Sequence, residues 1–156
     1  MDLDINKFFE KRTPGEHELM WSLREHGYIV DNVTNEPNYW TKDIDFLITP
    51  VFGEDIVTSI EVKWDRHLAN TGNMFIELEN PRSIGGMGWF EFCQADYLAY
   101  GDARNRIFYF IKLADLRNYV ADHKLELKYR TTSDGSYGYL LPLSSVSALI
   151  AGTMKV

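Results

Sequence analysis

The sequence predicts an α/β (α+β) domain: a central mixed β-sheet flanked by helices. Three observations carry this. Leu19, Met20 and Leu23 recur at helical spacing. Two strand-like runs, residues 40–49 and 56–64, flank a turn containing Pro50, Gly53, Glu54 and Asp55. An apolar run, Ile107 to Ile111, is followed by a second helical pattern from Ala114 to Asp122. Alternation of the two patterns along one chain is what a sheet covered by helices requires.

Taken in order, residues 4–26 read as helix, interrupted near Thr13-Pro14-Gly15. There Thr13 is a suitable N-cap, Pro14 fits the first helical position and Glu16 falls in the first turn. Gly27 ends that helix, and Tyr28 to Val30 is a short strand. Trp40 to Thr49 and Ile56 to Trp64 pair as a hairpin, and Met74 to Leu78 adds a strand. After Gly85-Gly86-Met87-Gly88, which lacks the Lys and Ser/Thr of a phosphate-binding P-loop, Trp89 to Tyr100 reads as helix. Ile107 to Ile111 is a strand, and Lys124 to Arg130 with Tyr137 to Leu141 forms a closing hairpin around Asp134-Gly135.

With 156 residues, 45% hydrophobic, the chain is expected to form one domain, 1–156, with a full core of its own. Sixteen Lys+Arg against 23 Asp+Glu give a net charge of −7, which excludes a generally basic nucleic-acid coat or a polybasic membrane protein. The lone Cys93 excludes disulfides and cysteine-based zinc sites and suits a reducing cytoplasm. No apolar run approaches bilayer-spanning length, so the expected location is intracellular, with no membrane partner.

The chemistry concentrates in two apolar strands. Asp45 lies in Ile44-Asp45-Phe46-Leu47-Ile48, and Glu61 and Lys63 lie in Ile60-Glu61-Val62-Lys63-Trp64. Charges in such surroundings are costly unless paired or bound to a cation. A hairpin centred on Gly53 sets residue i opposite 106 − i, which places Asp45 across from Glu61 on one face. A β-bulge would shift that register. Period-two alternation puts Lys63 on the face of Glu61, with Ile60, Val62 and Trp64 on the other. Two converging carboxylates and an ammonium suit Mg²⁺-dependent phosphodiester hydrolysis, with Mn²⁺ as a substitute. Lys63 would orient the attacking water or help deprotonate it, and offset transition-state charge.

In these residues the sequence resembles the PD-(D/E)xK nuclease superfamily: Asp45, then Glu61-Val62-Lys63 on a following strand. The segment Gly15-Glu16-His17-Glu18-Leu19-Met20-Trp21 through Gly27-Tyr28 is similar to the first helix of archaeal Holliday-junction resolvases. Thr71-Gly72-Asn73-Met74-Phe75-Ile76-Glu77 and Ala95-Asp96-Tyr97 are similar to small phage-encoded members. The resemblance covers roughly residues 15–100 and implies a restriction-endonuclease-like fold and a metal-dependent DNA endonuclease acting on branched or duplex DNA. It implies Asp45, Glu61 and the Val62 carbonyl as metal ligands and Glu16 as a further carboxylate. The helical wheel independently sets Glu16 on the face of Leu19, Met20 and Leu23. Ile44 stands where the superfamily's proline would be, and Asp43, on the face of Asp45, can share or replace its role. The alternative is a non-catalytic accessory protein that binds nucleic acid or protein on the same fold.

Arg66, His67, Asn70, Thr71 and Asn73 follow the motif strand and either hold the DNA backbone or form an ordinary turn. Gln94, read as one turn into the second helix, either faces the site, as in related nucleases, or is simply exposed on the surface. Glu77 and Glu79 read as the solvated face of a strand, with a contact near metal or DNA as the alternative. Trp89 is a candidate for stacking on a splayed base, and Lys124, Lys128 and Arg130 a solvated basic strip. The four histidines show no metal-ligand spacing. A homodimer, to cut both strands, is expected. The net −7 implies weak, salt-sensitive DNA binding or recruitment by a protein partner.

Overall fold

A computed structural model describes residues 15–50 and 56–156. They form a mixed α+β structure around a six-stranded sheet. In chain order these are helix α1 (Glu16–Glu25), β1 (Tyr28–Asn32), β2 (Phe46–Pro50), β3 (Thr58–Asp65), β4 (Asn73–Glu79), β5 (Tyr97–Asp102), β6 (Ile107–Lys112), helix α2 (Leu113–His123), β7 (Lys128–Thr131), β8 (Tyr137–Pro142) and β9 (Ile150–Lys155). Single helical turns lie at Pro37–Trp40, Leu68–Thr71 and Trp89–Phe92. The large sheet has the order β1-β2-β3-β5-β6-β9. Its neighbours are antiparallel except β3 and β5, which are parallel. A parallel pair needs a long crossover, and residues 66–96 provide it, carrying β4 into a second sheet of order β4-β8-β7.

The sheet has an apolar layer on each face. On one, Leu19, Met20 and Leu23 of α1 pack on Val30, Phe46, Ile60, Val62, Ala99 and Phe108. On the other, Leu98, Tyr100 and Ile111 meet the second sheet through Met74, Ile76 and Leu141, and α2 through Leu116 and Val120. The α1 stripe is buried as its spacing predicts.

Three expectations require correction. Residues 89–100 are not one helix: a single turn ends at Phe92, and Tyr97–Asp102 is the central strand β5. A strand covered on both faces is apolar at every position, so it loses the alternation that distinguishes it from a helix. The strand expected from Trp40 begins at Phe46, because Pro37 starts a helical turn and Asp43 takes a positive φ of 53°. The N-cap of α1 is Gly15; Thr13 and Pro14 lie outside the described residues, as do residues 4–12 of the expected helix and the Gly53 turn. Gly15 has φ 98°, and a Cβ there would sit 2.5 Å from the Trp64 ring, so both conformation and space demand glycine. Its N–H donates to the Glu18 carboxylate at 3.0 Å. The closing hairpin forms as β7 and β8 around Gly135, and β9 was not expected.

Candidate active site

The β2–β3 ladder follows the expected register, with Phe46 opposite Ile60, Leu47 opposite Ser59 and Ile48 opposite Thr58. At Asp45 it departs. The Asp45 N–H donates to the Ile60 carbonyl at 2.9 Å, so Asp45 and Phe46 both oppose Ile60, a bulge-like step. The Asp45 carboxylate instead accepts from the buried Val62 N–H at 2.9 Å. Asp45 is therefore not the cross-strand partner of Glu61, and its charge faces a backbone donor rather than a second carboxylate. Because the N–H and C=O of one strand residue point to the same edge, the Val62 carbonyl also faces this edge of β3.

Glu61 and Lys63 share a face, as alternation requires, and the Lys63 Nζ lies 2.5 Å from Glu61 Oε1 and 3.5 Å from Asp43 Oδ2. Asp43 thus joins the cluster through the lysine. Glu61 is only 3% exposed, and its Oε2 has no hydrogen-bond partner among the described residues. Burial pushes the Glu61 carboxyl well above its usual range, with Lys63 acting against it and Asp45 and Asp43 adding to it. Burial likewise raises Asp43, opposed by Lys63. For Lys63, burial favours the neutral amine, but the pull of Glu61 and Asp43 overrides it and holds the group above the ordinary lysine value. The ammonium also lies 5.5 Å from the Trp89 ring centroid.

Glu16, 4% exposed, reaches the same place from α1: it lines a cleft of about 370 Å³ with Asp43, Asp45, Glu61, Lys63 and Trp40. Sequence positions 16, 43, 45, 61 and 63 are thus gathered at the end of the β2–β3 ladder. Among the described residues, no three His, Cys, Asp or Glu side chains are near enough to form a ready-made metal cage. Lys63 lies between Glu61 and Asp43 instead.

A larger cleft, about 710 Å³, opens from Lys63 and Trp64 towards the second sheet. Arg66, His67, Thr71 and Asn73 line it. Asn70 does not; its Oδ1 accepts from Arg104 at 2.8 Å. Gln94 is exposed, belongs to no helix and donates its backbone N–H to the Lys42 carbonyl at 2.8 Å, so it does not face the site. Glu77 is no solvated carboxylate: half-buried, it lines this cleft and accepts from Asn80 Nδ2 at 3.3 Å. Trp89 lines this cleft with its ring next to Lys63, but at 6% exposure it offers a base little surface to stack on.

Comparisons with protein-family models, with curated proteins and with solved structures gave no match. The resemblance therefore rests on the residues and their placement.

Sequence reading missed two features. Tyr100, beside Lys63 in the β3–β5 register, donates its hydroxyl to Asp65 Oδ2 at 2.5 Å and accepts the Phe75 N–H at 2.9 Å, tying β3 and β5 to β4. Burial, and then the Asp65 charge, pushes the phenol well above its ordinary value, so it stays protonated. Arg130, expected on a solvated strip, lines the larger cleft. Only pairing of the two sheets brings either into place. Cys93 is the small buried residue expected, its Sγ 3.2 Å from the Asp43 carbonyl oxygen. Burial pushes its thiol from 9.0 to about 12. Since the thiolate is the reactive form, the folded protein should react with an aromatic disulfide reagent at pH 8 about a thousand-fold more slowly than the unfolded chain. The rate should rise as pH increases; fast native-state labelling would contradict this burial. Among the described residues, no helix is long and apolar enough to cross a membrane.

Proposed function

We propose that this chain is a metal-dependent nuclease of the PD-(D/E)xK type with a restriction-endonuclease-like fold, hydrolysing DNA phosphodiester bonds. The observation that carries this reading is the convergence of Glu16, Asp43, Asp45, Glu61 and Lys63 on one cleft from three separate segments. The six-stranded mixed sheet flanked by helices is of the class the resemblance implies.

The residues fit a divalent ion. A buried carboxylate oxygen without a donor, Glu61 Oε2, is the group that a hard cation satisfies. Asp45, Glu61 and the Val62 carbonyl would hold Mg²⁺, or Mn²⁺ in its place, through oxygen alone. When bound, such an ion polarises the phosphoryl group and lowers the pKa of a coordinated water. The protein's own part falls first to Lys63. Facing two carboxylates, it is held as an ammonium in the metal-free protein, and its place beside Glu61 suits it to donate to phosphate oxygen and steady developing negative charge. Glu16, brought in from α1, supplies the supporting carboxylate that orients water.

Asp45→Asn is the cleanest test. The amide oxygen still accepts the Val62 N–H, so the fold is retained while the anionic ligand is lost. Calorimetric titration with Mn²⁺ should show binding to wild type and at least about tenfold weaker binding to the variant. Equal binding to both, or none to wild type at millimolar ion, would sink the metal assignment.

One observation favours the second reading, a non-catalytic binding protein. Lys63 already pairs with Glu61 and Asp43, and the described residues form no three-acid metal cage. Wild type that cleaves neither plasmid, branched nor single-stranded DNA with either ion, yet binds one of them, would favour it over the nuclease reading.

A further inference from the structure

Seven arginines lie among the described residues, and five have polar partners. Arg24 bonds the Val30 carbonyl, Arg82 pairs with Asp134, Arg104 with Asn70, Arg106 with Glu18, and Arg117 bonds the Phe90 and Cys93 carbonyls. The other two, Arg66 and Arg130, are exposed, have no polar partner among the described residues, and line the same 710 Å³ cleft. They come from different sheets, Arg66 directly after β3 and Arg130 from β7. The acids of that cleft are engaged: Asp65 accepts from the His67 and Leu68 N–H groups and from Tyr100, and Glu77 from Asn80. Two guanidinium forks lining one cleft, both without a polar partner among the described residues, make a local phosphate site in a chain of net charge −7.

A second, independent feature lies in the other cleft that Lys63 lines. Trp40 lines the carboxylate cleft yet is 65% exposed, the most exposed tryptophan of the described residues. A large aromatic surface left in water beside a phosphodiester site is a stacking platform for a base. Lys63 and Trp64 line both clefts. A volume of about 710 Å³ is that of a small-molecule site. It has room for one or two nucleotides, and a base that stacks on Trp40 must leave a duplex stack.

We propose that the DNA engaged here is a single strand, running from a base stacked on Trp40, across Lys63, to phosphates held between Arg66 and Arg130. This rests on the reading of the Asp45–Glu61–Lys63 cluster as a phosphodiester site and adds the strandedness of its substrate. It also replaces Trp89, Asn70 and Gln94 by Trp40 and Arg130 as DNA contacts.

The test is fluorescence anisotropy of a labelled 16-nucleotide oligo(dT) and a labelled 16-base-pair duplex, without divalent ion, over a salt series. Trp40→Ala should weaken single-strand binding about five- to a hundred-fold, with Trp40→Phe restoring most of it. Arg130→Gln and Arg66→Gln should each weaken it about tenfold at low salt and lower the salt slope by about 0.7. The duplex should bind more weakly than the single strand. Trp40→Ala and Arg130→Gln binding as wild type, or a duplex bound at least as tightly, overturns the strand path. Cleavage abolished by Asp45→Asn but untouched by Trp40→Ala and Arg130→Gln overturns the path and leaves the nuclease reading standing. Trp40- and Arg130-dependent binding by a wild type that never cleaves supports the path and overturns the nuclease reading.

Discussion

Lys63→Ala should lower metal-dependent cleavage of a labelled oligonucleotide by about a thousand-fold. Among the described residues the lysine is the only cation lining the carboxylate cleft, so its removal takes away the one cationic donor among them that is placed to meet charge developing on phosphate oxygen. Lys63→Arg should recover little. The planar guanidinium is larger and cannot occupy the position 2.5 Å from Glu61 and 3.5 Å from Asp43 that the compact ammonium holds. Circular dichroism keeps a folding defect apart from a chemical one. A folded Lys63→Ala variant that cuts as fast as wild type would remove the lysine from the mechanism. Because the same change leaves Glu61 buried without its counter-charge, the metal-free variant should also be less stable than wild type.

The largest stability loss should come from Phe108→Ala, about 3–5 kcal/mol from urea unfolding. Phe108 is fully buried on the α1 face of β6, its ring centroid 5.1 Å from that of Trp64. A Cβ on Gly101 would stand 2.6 Å from the Phe108 ring and 2.5 Å from Trp64, so the two aromatics fill the space above that glycine. Truncation opens a cavity there that the sheet backbone cannot close. Trp64 follows Lys63 in the chain, so the loss should reach the site as well, seen as weaker cleavage at temperatures where the variant is still folded. Leu125→Ala, at a side chain 93% exposed, is the control and should change stability by no more than about 0.5 kcal/mol. A Phe108→Ala variant within 1 kcal/mol of wild type would show that this face of the sheet is not packed as described.

Much of the site was legible because local rules govern it. Glu61 and Lys63 share a face by period-two alternation, and Glu16 is buried with Leu19 by the helical period. The hairpin sum of 106 holds wherever β2 and β3 pair. It fails at Asp45, because there a carboxylate gains more from a buried backbone N–H than from facing another carboxylate. Strand β5 was misread as helix because burial on both faces erases alternation. Gln94 was misplaced with it.

Sequence alone therefore determined which charged residues lie in apolar strands, the shared face of Glu61 and Lys63, the buried face of α1, and an α+β sheet class. These follow from periodicity and the cost of burying charge. Only the tertiary structure decided which residues stand across a cleft from one another. Arg130 from β7, Trp40 from a single helical turn and Tyr100 from β5 reach the region of Lys63 through pairing between segments far apart in the chain. No local period encodes that pairing, because its free energy comes from burying surfaces that meet only when both sheets have formed.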